Sequence, residues 1–109
     1  MARGLLFVES RPSDPVRQAE YDDWYGNVHI PQVCQVPGFV SAKRYRLRST
    51  RDERVDEAPT TVCVYEIEAD DLDAPRAELR ARSADGRVAM SDVLQMDPPP
   101  NVALYELIE

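Results

Sequence analysis

The chain has little from which a metal or redox centre can be built. It holds one histidine, His29, and two cysteines, Cys34 and Cys63, which do not form a CxxC pair. That excludes the usual zinc and dithiol patterns. A lone histidine with scattered carboxylates is not a ligand set, so no metal and no other cofactor is expected. Gly-x-Gly-x-x-Gly, Walker and Gly-x-Ser-x-Gly loops are absent, which removes the common nucleotide sites and the serine-hydrolase elbow. Positive charge is in deficit: 13 Lys and Arg stand against 20 Asp and Glu, a net charge of −7. Such a surface argues against DNA, RNA and anionic lipid as partners. Long apolar runs are missing too. Nothing approaches the ~18 residues of a membrane span, and the opening MARGLLFVESRP is too short for a signal-peptide core. Two cysteines with no CxxC pair fit a reducing compartment best, so a cytoplasmic protein is expected.

What is present is one domain of globular chain, residues 1–109, with 43% hydrophobic and 30% charged residues. GLLFVE, residues 4–9, reads as a strand. Asp14 followed by Pro15 is a helix start, an N-cap oxygen before a proline whose missing donor costs nothing there. The helix is expected over 15–29, with Pro31 ending it. Val36-Pro37-Gly38 is a breaker, and FVSAKRYRLR, 39–48, follows as a strand. The polar run 49–59, including a solvated turn at Arg51-Asp52-Glu53-Arg54, reads as a long hairpin connection. TTVCVYEIE, 60–68, alternates most clearly, with Val62, Val64 and Glu66 on one face and Cys63, Tyr65 and Ile67 on the other. Asp70, Asp71 and Asp73 offer caps for a second helix that starts near Asp71 and stops at Asp85-Gly86. Leu72, Leu79 and Ala77 would be its buried stripe. Residues 87–96 read as a shorter helical piece, 97–100 as rigid and extended, and 101–109 as a closing strand. The order β-α-β-β-α-β predicts an α+β, ferredoxin-like layer: a four-stranded antiparallel sheet with both helices on one face. The other face carries Val, Leu and Tyr, so a second copy is expected to cover it and form a homodimer.

Chemistry concentrates in residues 21–45, YDDWYGNVHIPQVCQVPGFVSAKRY. Tyr21, Tyr25 and His29 recur at helical spacing, with Trp24 and Asp22 beside them. Gly26-Asn27 breaks good helix-forming sequence within this cluster, at roughly 1 kcal/mol for the glycine relative to alanine, and such breaks often mark function. His29 is the natural general acid or base; its structural alternative is a cation at the helix C-terminus. Tyr21, Tyr25, Tyr45, Tyr65 and Tyr105 are candidate donors to a phenol, enolate or carbonyl, or else core rings with satisfied hydroxyls. Asp22 would orient the imidazole or sit on a solvated face. Trp24 and Phe39 would supply apolar contact. Arg44, Arg46 and Arg48 alternate on the second strand and either bind an anion or guard a strand edge. Cys34 and Cys63 read as small apolar residues.

The same stretch resembles the EthD-like proteins of the dimeric α/β-barrel superfamily, through its aromatic first helix, the WY…VHIP helix end, the VPGF turn and the AKRY strand. The ending MSDVLQMDPPPNVALYELI is similar to the chain ends of such proteins. The resemblance implies two ferredoxin-like monomers joined through their sheets into a barrel, each with a pocket between sheet and helices. It also implies His29 as the functional histidine. It points to a cofactor-independent enzyme of secondary metabolism that cyclises, dehydrates or isomerises a small hydrophobic, aromatic or polyketide-like substrate. In that reading His29, Tyr25 and Asp22 do the chemistry, and Tyr21, Trp24, Phe39, Tyr45 and Tyr65 bind substrate. The alternatives are a non-catalytic small-molecule-binding barrel and a metal-free oxygenase. Heme is disfavoured, since the required polar partner of an axial histidine is not matched.

Overall fold

Period-two alternation along four segments sets the sheet and decides which side chains meet the helices. The computed structural model describes residues 1–48 and 61–108; the connection expected at 49–59, with its Arg51–Arg54 turn, lies outside them. The strands are β1 (Ala2–Ser10), β2 (Phe39–Arg46), β3 (Thr61–Ala69) and β4 (Asn101–Glu106), all antiparallel in the order β2-β3-β1-β4. This is the expected ferredoxin-like arrangement. Leu6 stands opposite Tyr65 and Leu104, and Val8 opposite Cys63 and Val102. Those residues line the helix-facing side, where Leu6, Cys63, Tyr65 and Ile67 are buried. The split expected within β3 is therefore the one observed. Gly4 is required where β1 meets β4, because a Cβ there would overlap the carbonyl oxygen of Tyr105.

The first helical segment, α1, begins as foreseen. Asp14 Oδ1 accepts the Val16 N–H at 3.0 Å, and Pro15 takes the first position. It then runs through a 3-10 turn Pro15–Arg17, an α-helical stretch Gln18–Trp24, a π-helical stretch Tyr25–His29 and a closing α-turn Ile30–Val33. The expected stop before Pro31 is thus corrected: the helix passes the proline and ends at Val33. The wide turn explains this. The Ile30 N–H bonds back to Tyr25, five residues earlier, which restarts the α-helical ladder with Pro31 in its first turn. There the missing N–H is tolerated.

The second helix, α2 (Asp73–Asp85), ends on Gly86 at φ 87°, the left-handed stop that glycine adopts without strain. Asp71 Oδ1 accepts the Asp73 N–H at 2.9 Å. Leu72 and Pro75 are buried and Leu79 packs against the core, but Ala77 is exposed, which corrects the expected stripe.

Residues 87–100 are not helical, a third correction. They form a strap that crosses from α2 to β4. Several of their backbone groups bond outward to other elements, while Leu94 N–H donates to Ser91 O at 3.2 Å within the strap. The Ser13 N–H donates to Val93 O at 2.7 Å, Gln95 N–H to Arg11 O at 3.0 Å, and Ala89 N–H to Gln32 Oε1 at 2.7 Å. Val88, Val93 and Leu94 bury their side chains beneath it. Among the described residues, no helix is long and apolar enough to cross a membrane.

Candidate functional site

The sheet, α1, α2 and the strap border a half-open cavity of about 280 Å³. That exceeds the ~150 Å³ space that takes up a benzene ring and is enough for a small one- or two-ring molecule. Its walls are mostly apolar: Leu6, Val8 and Val102 from the sheet, Val33 from α1, Leu79 from α2, and Met90, Leu94, Met96, Pro99 and Pro100 from the strap. The polar groups are few: Ser10, Tyr25, His29, Tyr65 and Ser83. An apolar pocket with a small set of convergent polar groups is the usual form of a small-molecule site.

The π-helical stretch places the histidine. One extra residue in the turn sets His29 between its neighbours, stacked on Trp24 with ring centroids 4.8 Å apart and edge-on to Tyr25 at 5.0 Å. π-bulges recur at functional sites for this reason, since they re-aim a side chain. His29 Nδ1 is buried and has no hydrogen-bond partner among the described residues. Burial lowers the pKa of the ring from 6.5 to about 4, so the imidazole is neutral at pH 7 and keeps one accepting nitrogen.

That shift makes stability depend on pH. Between about pH 4 and 6.5 the unfolded chain binds a proton at His29 and the folded one does not. Stability therefore rises with pH across this window and is lost on acidification, by about 3 kcal/mol once pH falls through 4. Urea unfolding of the wild type and His29→Gln at pH 7 and pH 4.5 isolates the effect, because the carboxylates titrate in both. The wild type should lose more stability than the variant; equal losses would assign the acid sensitivity elsewhere.

Tyr25 and Tyr65 are buried beside His29, with the Cys63 thiol near both hydroxyls. Burial pushes both phenols above the ordinary tyrosine value, so they remain protonated donors. The Tyr65 hydroxyl lies near the Tyr25 hydroxyl and the Cys63 thiol but makes no hydrogen bond of good geometry among the described residues. Two buried polar atoms, Tyr65 Oη and His29 Nδ1, are thus unmatched in side chains that line one cavity. Native proteins rarely leave such groups unpaired without a functional reason.

The other expected site residues fall elsewhere. Asp22 does not reach the imidazole. Its Oδ1 accepts from Arg44 Nη2 at 2.8 Å and from Gln18 Nε2 at 3.1 Å. Burial opposes its ionisation, but these two donors prevail and hold the carboxyl below its usual range. Tyr21 is fully buried behind the wall, where its hydroxyl bonds Ser10 Oγ and, at 2.8 Å, Thr61 Oγ1. Trp24 backs His29, and Phe39 packs edge-on against Tyr65 at 5.6 Å; neither lines the cavity. Tyr45 is 53% exposed on the opposite face of the sheet, because β2 pairs Tyr45 with Val62 and Arg44 with Cys63. Tyr105 lies on that far face too, edge-on to Phe7 at 6.3 Å. Burial raises both thiols, Cys34 and Cys63, which fits the apolar reading of each. Sequence reasoning did not single out Ser10 or Ser83 and offered no signal for them; it marked the strap stretch from Met90 to Pro100 only through its resemblance to family chain ends, without placing it at the site. Among the described residues no cluster of His, Cys, Asp and Glu suits a metal ion.

No family model matches the chain, and no curated protein does either. Solved structures do. The chain is similar to an ethyl tert-butyl ether D (EthD) family protein from Bacillus halodurans C-125, with 19% identity and TM-score 0.60, covering 99% of this chain and 100% of that one. A proposed monooxygenase from Shewanella loihica PV-4 is similar at 22% identity and TM-score 0.59, covering 100% and 98%. An EthD-like protein from Ralstonia eutropha JMP134 is similar at 14% identity and TM-score 0.54, covering 97% and 94%. Over its whole length, then, this chain has the fold of the EthD-like proteins.

Proposed function

We propose that the protein is a small enzyme of the EthD-like family that moves a proton on an aromatic or polyketide-like intermediate, in a cyclisation, dehydration or isomerisation, without a cofactor. The observation that supports this most is the pairing of two unmatched buried atoms, His29 Nδ1 and Tyr65 Oη, in the walls of one apolar cavity. Neutral His29 takes a proton from the carbon beside a substrate carbonyl. The electron pair moves onto the carbonyl oxygen, and the Tyr25 and Tyr65 hydroxyls donate to the developing charge. The imidazolium then returns its proton to another substrate atom, or to a leaving hydroxyl. Trp24 stacked behind the ring holds its orientation. This chemistry needs one base and one or two donors, the roles this reading gives to His29 and to Tyr25 and Tyr65.

Deuterium exchange into 2-tetralone, a neutral two-ring ketone, tests the reading. NMR in D2O should show faster α-exchange with the protein present. Binding seen by quenching of Trp24, the only tryptophan, with no acceleration would favour the non-catalytic binding barrel. The similarity to a proposed monooxygenase motivates the metal-free oxygenase as second reading; oxygen consumption with an electron-rich phenol would support it instead.

The far face of the sheet supports a homodimer. Leu5, Tyr45 and Tyr105 are 39%, 53% and 56% exposed there, and Phe7, Val62, Val64 and Ala103 share the face with them. A second copy of the same face would cover these apolar side chains, with Glu9, Lys43 and Glu66 on the same face beside them.

A further inference from the structure

Arg44 is an arginine on the inner, helix-facing side of the sheet, beside buried aromatic rings. β2 pairs it with Cys63, which points it toward α1. Its Nη2 is fixed by Asp22 at 2.8 Å, and Asp22 in turn is held by Gln18. Its Nε is buried and makes no hydrogen bond among the described residues. The guanidinium carbon instead lies over two aromatic rings, 4.7 Å from the centroid of Tyr25 and 5.4 Å from that of Tyr21. Arg44 does not line the cavity.

We infer that Arg44, anchored by Asp22, is a positioning residue of this site, acting through Tyr25 to strengthen its hydroxyl as a donor to a developing oxyanion. A cation over a phenol ring draws electron density from the ring and favours negative charge on its oxygen. The hydroxyl then becomes a better donor toward an anion while staying protonated. The groups that face Tyr25 are Tyr21, Trp24 and His29 on its own helical segment, Cys63 and Tyr65 on β3, and Arg44 on β2. Burial raises this phenol, and Arg44, the only fixed cation among these groups, lies over its ring at 4.7 Å from the centroid; a cation so placed favours negative charge on the phenol oxygen. The inference also gives Asp22 a role, as the anchor of the guanidinium.

The inference rests on the cavity being the site, and its test separates the two ideas. The probes are 4-nitrophenolate and its neutral isostere 4-nitrotoluene, with affinities read from Trp24 quenching. Arg44→Met should weaken the phenolate about tenfold and leave 4-nitrotoluene within about twofold. In a Tyr25→Phe background the same substitution should add nothing, the signature of action through Tyr25. Equal weakening of both probes, or an undiminished loss in the Tyr25→Phe background, would overturn it. Should Arg44→Met fail to fold, Asp22→Asn, which frees the guanidinium, is read in the same way. Should neither probe bind the wild type, the function proposed above falls, and the ring-carbon NMR shift of the Tyr25 Cζ at pH 7, which reports electron density at the phenol, decides the inference. Arg44→Met must move that resonance; no movement overturns it.

Discussion

His29→Gln should lower the proton-exchange rate by about 10²- to 10⁴-fold, the range a positioned general base contributes, with the fold retained. Glutamine is polar and of similar length, so it fills the place against Trp24 and Tyr25 but cannot take up a proton. The loss should appear in kcat more than in KM, because the interaction removed is made in the transition state. The pH profile carries a second signature. With the ring pKa near 4, the free wild-type enzyme keeps its base form down to well below pH 6, so the acid limb of kcat/KM should fall near 4, not 6.5. Stopped-flow or NMR exchange measured from pH 4 to 8 on both proteins checks the two points together. An acid limb at 6.5 would place the imidazole in solvent, and a variant with wild-type rates would remove His29 from the chemistry.

Phe7→Glu should convert the proposed homodimer to a folded monomer, with a dimer dissociation constant raised at least 100-fold. Phe7 sits on the central strand β1, on the face away from the helices, edge-on to Tyr105. A two-fold interface contains each substitution twice, so two carboxylates would enter an apolar contact. An unpaired charge buried at such a place costs about 3–5 kcal/mol, which is enough for the change even if one of the pair escapes to solvent. Sedimentation velocity at micromolar concentration gives the state, and far-UV circular dichroism confirms the fold. A dimer that survives the substitution would place the contact on another surface. A monomeric wild type would leave the far face without the partner proposed for it.

Much of this was determined by local sequence. The element order, the antiparallel layer and the inward set Cys63, Tyr65 and Ile67 follow from alternation and turn chemistry, which act within a few residues. The Asp14-Pro15 start and the Gly86 stop are local hydrogen-bonding and φ constraints, and both were observed. The weak point at Gly26-Asn27 was legible as a broken rule, although its form as a π-helical stretch was not. That form depends on a carbonyl five residues back and on the rings packed around it.

Tertiary structure decided the rest. Proximity in sequence suggests Asp22 as the partner of His29, but strand β2 brings Arg44, 22 residues away, within 2.8 Å of it, and a full positive charge outcompetes a neutral ring. Residue type groups Tyr45 with the site, yet its register puts it on the far face. One position of alternation separates Arg44 inside from Tyr45 outside, and only the pairing with β3 settles which is which. The strap of 87–100 has no period to read, because its partners are backbone groups of distant segments. The cavity exists only once that strap is laid across the sheet. Sequence set the layer and nominated the histidine; the packing of one strand and one strap determined which residues surround it.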